Sequence, residues 1–297
     1  MRTFRTPDER FADLPDFGYA PHYAEVGDGV RMAWVEDGPA DGPVVLLLHG
    51  EPSWSFLHRT MIPVLAAAGL RAVAPDLVGF GRSDKPVDPA DHSYARHVEW
   101  VRALAFDVLD LRDVTLVGQD WGGLIGLRLA GEHPDRFARI VAANTGLPTG
   151  DHDMPEVWWE FRRAVQRAST LDVARLVQSG CRTRFTDRVR AAYDAPFPEE
   201  AYKVGPRTLP LLVPTRPDDP ATQANRTAWA ALTRSDRPFL CAFSDDDPIT
   251  AAMGPVLRRS MPGAAGRTHP TITGAGHFLQ EDAGPALAAE VVAFVRG

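Results

Sequence analysis

Cysteine is scarce: Cys181 and Cys241 are the only two in 297 residues. Two isolated thiols exclude a disulfide framework and a cysteine-built metal cluster. Cys241 sits in Pro238-Phe-Leu-Cys-Ala-Phe243, where a buried strand thiol is the expected role. No apolar run approaches the ~20 residues of a membrane span. The first ten residues, Met1 to Arg10, lack the apolar stretch of a signal peptide, so a soluble cytoplasmic protein is expected. Positive charge is not in excess, since 32 Lys and Arg face 39 Asp and Glu for a net charge of −7. That balance argues against nucleic acid or an anionic membrane as partner. Internal repeats and low-complexity segments are also missing. What is present is 44% hydrophobic residues, enough for one large α/β core carrying an insertion.

Residues 1–22 are rich in Pro and Asp and are expected to wrap the surface. His22–Val26 and Val30–Val35, separated by Gly27-Asp-Gly29, read as a β-hairpin. Val44–Leu48 is an unbroken apolar run, as in a parallel strand covered on both faces. A helix through Ala68, a strand at Leu70–Ala74 and a Gly-rich loop to Ser83 follow. Tyr94–Leu109 reads as a helix, with Val98, Val101, Leu104 and Val108 on one face. Strands at Val114–Gly118 and Ile140–Ala143 complete an alternation that implies right-handed crossovers and a mostly parallel sheet. From Pro148 to Arg234 the rhythm changes. Glu156–Arg167, Leu171–Ser179 and Asp187–Tyr193 suit short helices, and prolines at 196, 198, 206, 210, 214, 217 and 220 break up the rest. The strand pattern returns at Phe239–Phe243 and Thr271–Thr273, and a last amphipathic helix spans Gly284–Arg296. The division expected is therefore a core of residues 1–147 and 235–297, with a helical cap at 148–234.

One junction carries the chemistry. Val114-Thr-Leu-Val runs into Gly118-Gln-Asp-Trp-Gly122 and then a helical pattern, which is the small-x-nucleophile-x-small spacing of a nucleophile elbow. Asp120 stands where such elbows usually hold Ser. A carboxylate, with an ordinary pKa near ~4, needs no base to attack an electrophilic carbon and form an ester. An Asp that merely caps the helix is the bland alternative, and the flanking glycines argue against it.

An ester on Asp120 must then be hydrolysed by activated water. His277, in Gly274-Ala-Gly-His-Phe-Leu279 after the last strand, lies where an α/β-hydrolase keeps its base, in the chain order nucleophile, acid, base. His49 is expected to support the oxyanion loop through a hydrogen bond. His22, His58, His92, His97, His133, His152 and His269 are expected on solvated loops or polar helix faces. The acid that orients the base should come from Asp245-Asp-Asp247, with Asp247 preferred because Asp-Pro closes the turn and Asp246 second. The oxyanion needs N–H donors, expected from the backbones of Trp121, after the nucleophile, and Glu51, after His49-Gly50.

With those pieces placed, the chain resembles the haloalkane dehalogenases of the α/β-hydrolase fold over nearly its full length. The resemblance rests on His49-Gly-Glu-Pro-Ser-Trp-Ser55, Asp76-Leu-Val-Gly-Phe-Gly-Arg-Ser-Asp-Lys85, Gln119-Asp-Trp-Gly-Gly123, Tyr193-Asp-Ala-Pro-Phe-Pro198 and Gly276-His-Phe-Leu-Gln-Glu281. It is similar to the subfamily whose acid follows the post-cap strand, because no suitable carboxylate follows Ile140–Asn144. The resemblance implies an eight-stranded, mostly parallel sheet flanked by helices, under a helical cap. It also implies a two-step reaction. Asp120 displaces halide from an sp³ carbon, and His277 then activates water against the ester. The expected partners are a small halogenated alkane, water and halide ion; no metal or organic cofactor is implied, and a monomer is expected.

The resemblance further implies that the indole N–H of Trp121 binds the leaving halide. The subfamily takes a second donor from a tryptophan in the first cap helix, and counting from Met154-Pro155 that position holds Phe161. Trp158 lies one helical turn earlier, beside Trp159. Another subfamily uses an Asn after His-Gly, where this chain has Glu51. An epoxide hydrolase would share the Asp elbow and the His/Asp pair but needs phenol donors in the cap, where only Tyr193 and Tyr202 occur. A non-catalytic binding protein on the same fold is a further reading, opposed by the intact triad.

Overall fold

Strands that are apolar at every position need cover on both faces, and the computed structural model, which describes residues 1–297, arranges them accordingly. The central sheet holds β1 (His22–Glu25), β2 (Arg31–Asp37), β3 (Val44–Leu48), β4 (Arg71–Asp76), β5 (Val114–Gln119), β6 (Phe137–Ala143) and β7 (Phe239–Cys241). Their order across the sheet is β1-β2-β4-β3-β5-β6-β7. The expected hairpin forms β1 and β2, which pair antiparallel, and β2 meets β4 antiparallel. All remaining pairings are parallel. β5, from the elbow sequence, lies near the middle and is buried at every position. Leu46, Leu47 and Leu48 of its neighbour β3 are each 1% exposed or less. Burying a leucine contributes about 1.5–3 kcal/mol, so these two strands anchor the core.

The helices are α1 (Ile62–Ala67), α2 (Tyr94–Arg102), α3 (Trp121–Glu132), α4 (Glu156–Arg167), α5 (Val173–Ser179), α6 (Asp187–Asp194), α7 (Val204–Leu212), α8 (Thr222–Leu232), α9 (Met253–Ser260) and α10 (Leu279–Arg296). α1 packs against α10 and α2 against α3, while α4 to α8 lie between β6 and β7 in the chain. No helix is long and apolar enough to cross a membrane.

Several expectations need correction. The sheet has seven strands rather than eight. The eighth, β9 (Thr271–Ile272), pairs in parallel with β8 (Phe243–Ser244), a continuation of β7 that forms a separate ladder. The break falls where the backbone N–H of Cys241 donates to Nδ1 of His269 instead of to a strand. The helix expected over Tyr94–Leu109 is α-helical only to Arg102 and continues as a π-helix over Ala103–Val108. The wider turn rotates the face, so Leu104 is buried while Val108 is 42% exposed.

The proline-rich stretch contains a helix that proline content hid. α7 includes Pro206 in its first turn, where no N–H is needed, and Pro210, whose missing N–H faces the Pro206 carbonyl four residues back. α10 begins five residues before the expected Gly284. A first turn at Leu279–Asp282 is offset by non-helical Ala283, ahead of Pro285. His58, His92 and His97 are buried rather than solvated. His92 Nδ1 and His97 Nε2 stand 3.1 Å apart with their rings stacked, so each supplies the other's polar partner.

The close approach of α3 to the sheet rests on Gly122. A Cβ there would collide with the carbonyl oxygen of Leu48 in β3. Overpacking of this kind costs about 1–3 kcal/mol or more. Gly122→Ala should lower the thermal midpoint by several degrees in a circular-dichroism melt, whereas an unchanged midpoint would show that α3 stands off from β3.

Candidate active site

At the carboxyl end of β5 the chain turns within one residue into α3. Asp120 occupies φ 49°, ψ −123°, a conformation few non-glycine residues adopt. Three bonds hold it there. Its N–H donates to Asn144 O at 3.1 Å, its carbonyl accepts from Thr145 Oγ1 at 2.8 Å, and Gly123 N–H donates to the same carbonyl at 3.0 Å. No side-chain capping bond is made by Asp120. The strained turn instead points the carboxylate away from the helix. Its Oδ1 accepts from the N–H of Glu51 at 2.8 Å, and its Oδ2 lies 3.6 Å from His277 Nε2.

His277 Nδ1 is 3.1 Å from Asp247 Oδ1. Asp247 also accepts from Ile249 N–H, Thr250 N–H and Thr250 Oγ1, which fixes its plane. Of the three consecutive aspartates, only Asp247 reaches the base. Asp246 pairs with Arg182 near the surface, and Asp245 accepts from the N–H groups of Gly274 and Ala275, holding the loop that carries His277. Burial pulls the His277 imidazole toward its neutral form, but the charges of Asp247 and Asp120 outweigh it and raise its pKa to about 10. Burial likewise pushes the Asp247 carboxyl up, and attraction to His277 with the surrounding hydrogen bonds brings it below its usual value. Glu51 is buried beside Asp120, and burial followed by that like charge holds its carboxyl protonated well above the usual range.

His49 takes the supporting role expected of it. Its Nδ1 donates to Gly50 O at 3.0 Å and its Nε2 accepts from Leu77 N–H at 2.9 Å, so the loop bearing Glu51 is tied to the end of β4.

Four residues absent from the sequence reading complete the frame. Asn144, at φ 41°, donates from Nδ2 to Ser244 Oγ, Gly276 O and His277 O. Gln119 Nε2 lies 3.2 Å from both His277 Nε2 and His277 O. Asp282 accepts from Gly276 N–H and from the N–H groups of Arg182 and Thr183, binding the base loop to the end of α5. Glu281 pairs with buried Arg59 and accepts from Tyr193 Oη at 2.6 Å. Asn144 carried one usable signal, its place directly after the strand that follows the elbow.

A cavity of about 1140 Å³ opens over the carboxylate, lined among others by Glu51, Asp120, Trp121, Trp158, Phe161 and His277. Both candidate second donors therefore face one space with Trp121. Neither cap tyrosine lines it: Tyr193 is occupied with Glu281, and Tyr202 stacks on Phe4. The phenols that epoxide opening needs are not available there.

A parallel sheet whose elbow holds a carboxylate against a His–Asp pair is the architecture of the α/β-hydrolase class, and residues 43–284 match the family model described as alpha/beta hydrolase fold. A haloalkane dehalogenase from Psychrobacter cryohalolentis is 50% identical over 99% of this chain and 98% of its own length. Haloalkane dehalogenase 1 of Mycobacterium tuberculosis is 52% identical over 99% of each. Among solved structures, a haloalkane dehalogenase from Paraglaciecola agarilytica, described as tetrameric, superposes with a TM-score of 0.89 at 35% identity, covering 98% of this chain and 97% of the other. The chain belongs to the haloalkane dehalogenase family. It is a hydrolase that removes halogen from halogenated alkanes with water as co-substrate.

The two carboxylates around His277 make a measurable demand. Removing the charge of Asp120 takes away part of what favours the imidazolium, so the pKa of His277 must fall. In the Asp120→Ala variant, NMR titration of the His277 ring should give a midpoint below that of the wild type. A midpoint equal or higher would mean that Asp120 does not act on the base.

Proposed function

We propose that Asp120 is the nucleophile, His277 the base, Asp247 its orienting acid, and the backbone N–H groups of Glu51 and Trp121 the oxyanion donors. The observation that carries this reading is the placement of the two Asp120 oxygens, Oδ1 on the N–H of Glu51 and Oδ2 facing His277. Oδ2 attacks the halogen-bearing carbon; the new C–O bond forms as the carbon–halogen bond breaks and halide leaves with the bonding pair. The ester removes the negative charge of Asp120. His277, held as imidazolium by two carboxylates in the free enzyme, loses one of them and is released to act as base. It takes a proton from water, whose oxygen adds to the Asp120 carbonyl carbon. The oxyanion develops on Oδ1, already facing its donor, and collapse expels the alcohol. One alkyl halide and one water become alcohol, halide and a proton.

Residues 1–147 and 235–297 serve as the core of this enzyme and 148–234 as its cap. Trp121 donates one N–H to the leaving halide. Trp158 supplies the second from α4, and Phe161 forms an apolar wall against the alkyl chain; this assignment is supported by all three lining the cavity and by Trp158 being 6% exposed. The chain works as a monomer, supported by an exposed surface whose large apolar residues, Met1, Val108 and Leu211, are scattered in sequence. Its unpaired cysteines suit the cytoplasm.

The mechanism is tested by arresting it midway. His277→Phe keeps the nucleophile and loses the base, so a bromoalkane should release one equivalent of bromide and leave the protein heavier by the alkyl group in intact mass spectrometry. Absence of any adduct removes His277 from the role of base or Asp120 from that of nucleophile.

The halide site is tested by a pair of variants. Loss of a preorganised donor to developing charge costs about 2.7–4 kcal/mol, so Trp158→Phe should reduce turnover about 100-fold or more, and chloroalkanes should suffer more than bromoalkanes. Phe161→Trp should change turnover little. The reverse pattern, with Phe161→Trp raising chloroalkane turnover and Trp158→Phe neutral, would transfer the second donor site to position 161.

A further inference from the structure

Ten side-chain nitrogen and oxygen atoms in the molecule are buried without a hydrogen-bond partner, and seven of them belong to five residues. These are Glu51 Oε1, Ser55 Oγ, both ring nitrogens of His58, Gln119 Oε1, and both amide atoms of Gln280. All five residues are 5% exposed or less. A buried polar group without a partner costs about 1–3 kcal/mol, so a concentration of seven demands an occupant. The remaining three atoms, on Arg31, Trp34 and Arg82, belong to other parts of the chain.

The five residues come from pieces of chain that meet behind the base. The turn carrying Ser55 and His58 packs on the start of α10. Next to His58, Arg59 pairs with Glu281; Thr60 Oγ1 lies against Gly284 and donates to Gln280 O at 3.4 Å. Gln119 reaches His277 through Nε2, while its free Oε1 points toward Gly50, the residue before Glu51. Only Glu51 among the five also lines the substrate cavity. His58 cannot satisfy itself by charging, since burial followed by repulsion from His49 pulls it down to about 3.

We propose that Glu51, Ser55, His58, Gln119 and Gln280 form a site for a small cluster of buried water, which delivers the hydrolytic water to His277 from the side away from the substrate cavity. Water is the ligand whose chemistry fits, because the atoms include both donors and acceptors at spacing set by two chain segments, and buried water typically makes about three bonds to such groups. The amide of Gln280 and the ring of His58 offer donor and acceptor alike. Protonated Glu51, at the boundary with the cavity, donates to the last water of the cluster, and Gln119 fixes the imidazole it approaches. Each turnover consumes one water from the cluster, replaced from behind while alcohol and halide still occupy the front. The inference rests on the two-step reaction proposed above.

The test compares wild type with His58→Leu, Gln280→Leu and the milder Ser55→Ala. Oxygen-17 relaxation dispersion of water in solutions of the free enzyme counts long-lived internal waters, and its amplitude should fall in each variant. In rapid-quench experiments with a bromoalkane, the first-step bromide burst should be unchanged. Decay of the alkyl-enzyme should slow about tenfold, as expected when a reacting group is mispositioned. A dispersion amplitude equal to wild type in all three variants overturns the proposal. So does unchanged alkyl-enzyme decay, or a rise in thermal midpoint in both leucine variants, which would mark the groups as dry and merely unpaired. Absence of a bromide burst in wild type would instead overturn the nucleophile assignment, so the two failures are distinguishable.

Discussion

The tight turn at Asp120 is the constraint on which the rest depends. A non-glycine residue at φ 49°, ψ −123° stores about 1–3 kcal/mol of strain, and the surroundings hold it by saturating its backbone with hydrogen bonds from Asn144, Thr145 and Gly123. Gly122 lets α3 close on β3, which brings the Glu51 loop within reach of the carboxylate. Without that approach the carboxylate would have no donor on Oδ1, and its two oxygens would be equivalent. The strain therefore yields a nucleophile with one attacking oxygen and one oxygen already placed for the next step.

Charge is arranged around this turn with unusual density. Asp120, Asp247, Glu51 and His277 share one buried region, and three carboxyl groups there cannot all ionise cheaply. Burial and proximity keep Glu51 neutral, while the imidazole between Asp120 and Asp247 takes up the opposite charge. The balance changes when Asp120 becomes an ester, because a neutral ester no longer supports the imidazolium. Chemistry in the first step thus prepares the base for the second without any movement of the backbone.

Much of this was legible in the chain itself. The unbroken apolar strands Val44–Leu48 and Val114–Gln119, the glycines around Asp120 and the Gly-rich loop of His277 are local patterns, and each lies where its pattern pointed. Matters decided by tertiary contact were less visible. Whether His58, His92 and His97 meet water depends on what packs over them, and sequence periodicity carries no such information. The π-turn at Ala103–Val108 shifts a helical face that was periodic in sequence. α7 was hidden because proline is read as a breaker, though at Pro206 and Pro210 the lost N–H groups fall where the helix tolerates them. Asn144 and Gln119 act on His277 across 133 and 158 residues of chain, beyond the reach of any local motif.

Asp282 couples two regions that would otherwise be mechanically separate. One carboxylate accepts from Gly276, next to the base, and from Arg182 and Thr183, just past α5. If α5 lifted as a rigid flap to admit substrate, it would strip those bonds and drag the histidine loop out of register with Asp247. The enzyme thus carries its own interlock: a wide-open roof and an aligned base are mutually exclusive. Traffic through the cavity must then proceed by side chains swinging at its mouth, where the Arg182–Asp246 pair sits on the surface as a turnstile.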